Sequence, residues 1–161
     1  MQYSFLGANE SYVLTPEDVM QRKLELLDLK DGDCLCDLGC GDARSLIMGC
    51  TFAKIRGIGY DILPEAVAIS KRRVQEAGLV DQIDIRQQDL YQADLCDVDA
   101  LVLYFNRGIL GSISLKLENE LPLGARIVTH QFDLPAWTAE IEEDFIQSDG
   151  CVEKIYLYRK G

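Results

Sequence analysis

The hexapeptide Asp37-Leu38-Gly39-Cys40-Gly41-Asp42 constrains this chain more than any other stretch. It follows a short apolar run, Cys34-Leu35-Cys36, and precedes the helix-like segment Arg44-Ser45-Leu46-Ile47-Met48. Strand, glycine turn and helix in that order define a βα unit. Glycine lacks a Cβ and tolerates positive φ, so the backbone at Gly39 and Gly41 can pass close to a ligand. A nucleotide-type ligand is the natural occupant. The carboxylate of Asp37, at the end of the strand, points to a ligand that presents a cation or sugar hydroxyls there rather than a pyrophosphate.

The rest of the chain extends this unit into an α/β pattern. Thr15-Pro16-Glu17-Asp18 reads as a helix start: Thr15 can cap, Pro16 suits the first helical position, and the acidic pair complements the helix dipole. Val19, Leu24, Leu26 and Leu27 supply its apolar face. Strands are expected over 33–37, 54–60, 83–87, 100–104 and 125–130. Helices are expected over 43–52, 64–77 and 110–121. The second of these helices begins at Pro64 and turns Ala66, Val67, Ile69, Val74 and Ala77 inward, until Gly78 stops it. Two further strand-like runs, 138–145 and 151–158, flank an Asp149-Gly150 hairpin signal. The expected fold is a doubly wound, Rossmann-like, mostly parallel seven-stranded sheet ending in an antiparallel C-terminal hairpin. With 161 residues and no linker or repeat, a single domain covering 1–161 is expected, with 1–30 as an N-terminal segment and helix and 31–161 as the core.

Composition excludes several classes. The formal net charge of −11 opposes phosphate binding, so nucleic acid is not an expected partner. No stretch is apolar enough to span a bilayer, and the N-terminus lacks the pattern of a secretory signal, so no membrane insertion and a cytoplasmic location are expected. The six cysteines form no C-x-x-C pair, and the sole histidine, His130, is distant from them in sequence, so no metal site is expected. The cysteines read as reduced, buried thiols. Cys40 is the exception, because its backbone is expected to line the ligand.

Three aspartates end three successive strands. Asp61 lies about 20 residues beyond the glycine turn, where a carboxylate accepts from ribose hydroxyls. Asp89 follows the third strand, where it could accept from an adenine amino group. A dinucleotide fingerprint would need a third glycine where Arg44 stands, and no P-loop motif is present. S-adenosylmethionine (SAM) therefore fits Asp37, Gly39, Cys40, Gly41, Asp61 and Asp89 better than NAD does.

The glycine motif and strand order resemble class I, seven-strand SAM-dependent methyltransferases. More narrowly, the chain is similar to the small protein-lysine methyltransferases of archaea and bacteria, whose mitochondrial relatives modify the ATP synthase c subunit and the adenine nucleotide translocase. The matching residues are Tyr12-Val13, Thr15-Pro16, residues 37–42 with Arg44, Lys116-Leu117, Glu120-Leu121, Gly124 and Arg126 through Val128. They continue with His130, Phe132, Leu134-Pro135, Trp137 and Tyr156-Leu157-Tyr158. The resemblance implies that Tyr12, Thr15, Ile62 and Tyr104 join the cofactor site, and that the acceptor is a protein with an accessible lysine. Departures from the family pattern are Leu14 for proline, Ala43 for glycine, Asp61 for glutamate, and Tyr104-Phe105-Asn106 for a more apolar tract.

Methyl transfer from a sulfonium is an in-line displacement that needs positioning and exclusion of water. A lysine acceptor must be neutral, although its reference pKa is about 10.4. An aromatic channel lowers that value by desolvation and holds the ammonium by cation–π attraction. Tyr12 and Tyr104 are the candidate catalytic channel residues, with Phe105 read first as packing. His130 reads as a structural histidine rather than a base, and no dedicated general base is evident. A small-molecule methyltransferase and a non-catalytic SAM-binding module are the alternatives.

Overall fold

The computed structural model describes residues 2–4 and 11–161, with side chains from residue 14 onward. A two-stranded antiparallel ribbon, β1 (Gln2–Ser4) and β2 (Ser11–Val13), precedes the first helix. The sequence reading did not anticipate it. The rest alternates: α1 (Glu17–Leu27), β3 (Cys34–Leu38), α2 (Arg44–Gly49), β4 (Arg56–Asp61), α3 (Pro64–Glu76), β5 (Ile83–Gln87), β6 (Ala100–Val102), α4 (Arg107–Glu120) and β7 (Arg126–His130). The hairpin of β8 (Ile141–Ile146) and β9 (Val152–Arg159) ends the chain.

β3 to β9 form one sheet in the order β5-β4-β3-β6-β7-β9-β8. The first five of these pair in parallel, whereas β9 runs antiparallel to both β7 and β8. This is the expected fold class. The chain winds outward from β3 to β5, then returns to pair β6 on the other side of β3. A crevice opens at the carboxyl ends of β3 and β6, where order reverses and ligands bind in such sheets. Five consecutive buried residues in β3 meet the demand of a strand covered on both faces.

One face of the sheet carries α1, α2 and α3, packed through residues such as Leu24, Leu46 and Val74. The other carries α4, through Leu110, Ile113 and Leu117, and the segment holding Ala93, Leu95 and Val98. Between β5 and β6 there is only a 3-10 turn, Leu90–Gln92.

Local differences from the expectations have identifiable causes. Pro16 is the N-cap of α1, and no side chain caps it; Thr15 instead presents its carbonyl to Arg44 at 2.9 Å. The sixth strand ends at Val102, because Lys23 takes the Leu103 carbonyl. On α3 the inward set is Ala66, Val67, Ser70 and Val74, with Ile69 half-buried and Ala77 exposed. Ser70 is inside because its hydroxyl donates to the Gly41 carbonyl at 2.6 Å. Cys34, Cys36 and Cys40 are buried free thiols, but Cys96 and Cys151 lie on loops and are exposed, which corrects the expectation that all six are internal.

Candidate cofactor and methyl-transfer site

A cavity of about 480 Å³ occupies the crevice. Its wall includes Thr15, Asp37, Gly39, Cys40, Asp61, Ile62, Asp89 and Tyr104, so eight residues singled out by sequence converge there. Gly41 does not line it. Its part is structural: its N–H donates to Asp61 Oδ2 at 3.1 Å, and its carbonyl accepts from Ser70. The side chain of Tyr12 lies outside the described residues.

The glycine turn explains the shape of the floor. Gly39 has φ +73°, and a Cβ there would come within 2.9 Å of Phe105 Cζ. The Gly39 and Cys40 amides both donate to the Tyr60 carbonyl, at 2.7 and 3.0 Å, tying the turn to the end of β4. Gly59 on that strand is bare because the Cys40 side chain packs over it: a Cβ would lie 2.9 Å from Cys40 Sγ. Burial pushes the Cys40 thiol well above its usual range, so it is a packed thiol and not a nucleophile.

Ala43 adopts φ +64°, a left-handed conformation, and its methyl group is buried in the core rather than in the cavity. The departure from glycine at this position therefore leaves the site unobstructed.

Three carboxylates differ in their partners. Asp37 is buried and accepts from Ser45 Oγ through Oδ2; no donor reaches its Oδ1 among the described residues. Burial raises its pKa, and the Ser45 hydrogen bond and the nearby Lys23 charge work against that rise. A buried carboxylate with an open oxygen favours a cationic ligand. Asp61 accepts from Leu63 N at 3.0 Å as well as Gly41 N, and burial still raises its pKa. Asp89 caps the 3-10 turn, accepting from Tyr91 N at 3.0 Å. Asp42 is also buried and is held by Arg44 and Arg73, at 2.9 and 2.8 Å. Its charge is compensated, and it braces α2 against α3.

The cavity wall beyond β6 is aromatic, with Tyr104 and Phe105. The Tyr104 ring stacks on His130, with centroids 4.0 Å apart and planes 17° from parallel. Its hydroxyl donates to Gln131 Oε1 at 2.7 Å. His130 is buried, and its Nδ1 lies 2.9 Å from Lys23 Nζ. Burial, with the Lys23 charge, pushes the His130 pKa down to about 2, so the ring is neutral and acts as a platform. Trp137 packs edge-on against Tyr158, in keeping with a packing role.

Sequence reasoning missed Lys23. It lines the cavity from α1 and is fully buried. The signal was available, since Lys23 shares the helical face of Met20, Leu24 and Leu27 at spacings of three and four.

The residues fit SAM: Asp37 would hold a cationic end, Asp61 the ribose, Asp89 the base, and Gly39 permits close approach. Bound there, SAM supplies an electrophilic methyl group on a sulfonium. The chain's own contribution would be an aromatic wall at Tyr104 and Phe105 and a close-packed floor at Gly39 and Cys40.

Comparison with known proteins agrees. A solved structure described as an RNA methyltransferase from Salinibacter ruber in complex with S-adenosyl-L-homocysteine superposes with a TM-score of 0.85 and 32% identity, covering 91% of this chain and 93% of that one. A protein-lysine N-methyltransferase of Saccharolobus islandicus (strain REY15A) is 27% identical over 151 residues, 93% of each chain. The adenine nucleotide translocase lysine N-methyltransferase of Mus musculus is 28% identical over 137 residues. That match takes in 85% of this chain but only 56% of the mouse protein, so the chain spans little more than half of that relative.

Fold, cavity and relatives together define a SAM-dependent methyltransferase. Within that class the chain belongs to the family described as the ANTKMT methyltransferase domain, which matches residues 37–141.

Proposed function

We propose that this enzyme transfers a methyl group from SAM to the side-chain amine of lysine in proteins. The observation that carries the reading is the similarity, over 93% of both chains, to a protein-lysine N-methyltransferase. The site is compatible with it. Tyr104 is half-buried at the cavity wall, where an aromatic face can hold an ammonium and a poorly hydrated setting favours its loss of a proton. In this reading Asp37, Gly39, Cys40, Asp61, Ile62 and Asp89 hold the cofactor with Tyr12 and Thr15, Gly41 shapes the turn, and Tyr12 and Tyr104 flank the acceptor.

A second reading, methylation of RNA, is favoured by the description of the Salinibacter ruber structure. The net charge of −11 weighs against it, because RNA binding draws on Lys and Arg contacts to phosphate. The two readings separate when the purified enzyme is incubated with radiolabelled SAM and lysine-rich proteins, RNA or small amines in parallel. Label in the protein fraction supports lysine methylation. Label confined to RNA or to a small amine overturns it.

A further inference from the structure

Among the described residues Lys23 is the one buried lysine side chain, and none of their carboxylates forms an ion pair with it: Asp37 and Glu153 act on it only through their charge. Its Nζ donates to the Leu103 carbonyl at 3.1 Å and meets His130 Nδ1 at 2.9 Å. A neutral amine has two N–H groups, and these two acceptors use both. An ammonium has a third, for which the described residues provide no acceptor. His130 is neutral, so for Nδ1 to accept from Lys23 its proton must sit on Nε2. The ring so fixed is the one on which Tyr104 stacks.

The charged and titratable groups around Lys23 come from four elements: Asp37 at the end of β3, His130 at the end of β7, Glu153 on β9, and Tyr104 beyond β6. Asp42 and Asp61 in turn face Asp37. Arg44 lines the same cavity from α2. Burial is the dominant influence on Lys23 and drives its pKa down; Asp37 and then Glu153 oppose it. Asp37 is also the carboxylate placed to receive the cationic end of the cofactor. Two cations would then share one carboxylate in a buried setting, and the one with no exchange route other than its proton gives way.

We propose that Lys23 is a positioning residue that works as the neutral amine, holding His130 in its Nε2–H tautomer beneath Tyr104, and that it releases a proton to solvent as the ammonium end of the cofactor binds beside Asp37. The inference rests on the cofactor, not on the identity of the methyl acceptor. It accounts for a lysine kept where an aliphatic residue would fill the same space.

The chain's single histidine makes the test direct. Nitrogen-15 NMR of histidine-labelled wild-type protein reads the tautomer without any substitution. The proposal requires an unprotonated Nδ1 and a protonated Nε2; an Nδ1–H ring overturns it. Calorimetric titration with S-adenosyl-L-homocysteine, in two buffers of different ionisation enthalpy near pH 7, counts protons released without turnover. Wild type is expected to release more protons than Lys23→Met, and its affinity to rise by up to about tenfold per pH unit below the Lys23 pKa. Proton release equal in both would overturn the linkage. Lys23→Arg, which keeps a permanent charge, is expected to bind the analogue more weakly, with proton release no greater than in Lys23→Met. In turnover with whichever acceptor the enzyme is found to methylate, Lys23→Met is expected to lower kcat more than it changes KM for that acceptor, since the ring stack at the cavity wall loosens. A change in KM alone would contradict the positioning role.

Discussion

Gly39 and Phe105 are sterically matched: a methyl group on Gly39 would sit 2.9 Å from Cζ of Phe105. Residues 66 positions apart in the chain thus shape one patch of cavity floor. The backbone of Gly39 also holds φ +73°, which an L side chain resists. Gly39→Ala is therefore expected to cost about 1–2 kcal/mol of stability from backbone strain, and to displace Phe105 into the cavity. Cofactor affinity should fall by more than the stability loss alone explains. Adding Phe105→Ala should recover part of the binding but none of the backbone strain. Thermal unfolding and calorimetric titration of the single and double variants check this.

Asp37 and Ser45 make a buried donor–acceptor pair at the same floor. Asp37→Asn keeps the shape and removes the charge that would meet a cationic ligand. Its affinity for S-adenosyl-L-homocysteine should drop by about tenfold or more, a loss of about 1.4 kcal/mol or greater. Ser45→Ala should weaken binding less, because the carboxylate remains. Equal affinities for wild type and Asp37→Asn would remove Asp37 from the site.

His130 carries a pH signature. Its folded pKa, about 2, lies below the unfolded reference of about 6.5. The unfolded chain therefore binds more protons between those values, and stability must fall as pH drops below about 6.5. The contribution is complete above that value and is lost progressively toward pH 2. The slope for one such group approaches about 1.4 kcal/mol per pH unit. Asp37 and Asp61, with raised pKa values, act in the opposite sense over part of this window. The useful quantity is thus the difference between wild type and His130→Gln, by denaturant unfolding from pH 7 to 4. The wild type should lose stability relative to the variant as pH falls; parallel curves would show that His130 titrates normally.

Lys23 should leave the converse trace. Its folded pKa is depressed by burial, so the unfolded chain binds more protons above that value. Wild-type stability is expected to gain on Lys23→Met as pH rises from near neutrality toward about 10.4, the unfolded lysine value. A difference independent of pH would mean that Lys23 stays charged in the folded protein.

Tyr104 separates ring from hydroxyl. Tyr104→Phe keeps the stack on His130 and loses only the hydrogen bond to Gln131, so most of kcat should survive. Tyr104→Ala removes the wall, and misplacement of the acceptor should cost about tenfold or more in kcat. Steady-state rates with a protein acceptor distinguish the two.

What was legible in the sequence was local. The βα unit at Asp37–Asp42, the seven strands and the Asp149-Gly150 hairpin are written in periodicity and turn chemistry, which need no distant partner. The aspartates at strand ends converge because parallel strands bring their carboxyl ends to one edge. The misses were long-range. Lys23 is internal because Leu103, just past β6, and His130, at the end of β7, accept its hydrogen bonds. Ser70 replaces Ile69 on the inner face of α3 because Gly41 supplies an acceptor. Phe105 reads as packing at a strand end, but which surface it packs on is set by the bare backbone of Gly39. The ribbon of β1 and β2 has strands of three residues each, too short for alternation to register.

The most direct test of the account is to locate the transferred methyl group by peptide mass spectrometry. Wild type and Asp37→Asn would be incubated with deuterated-methyl SAM and a mixture of lysine-rich proteins and RNA. The account predicts deuterated methyl groups on lysine side-chain amines with wild type and their loss with Asp37→Asn. Deuterated methyl on RNA with unmodified lysines, or labelling undiminished in Asp37→Asn, would contradict it.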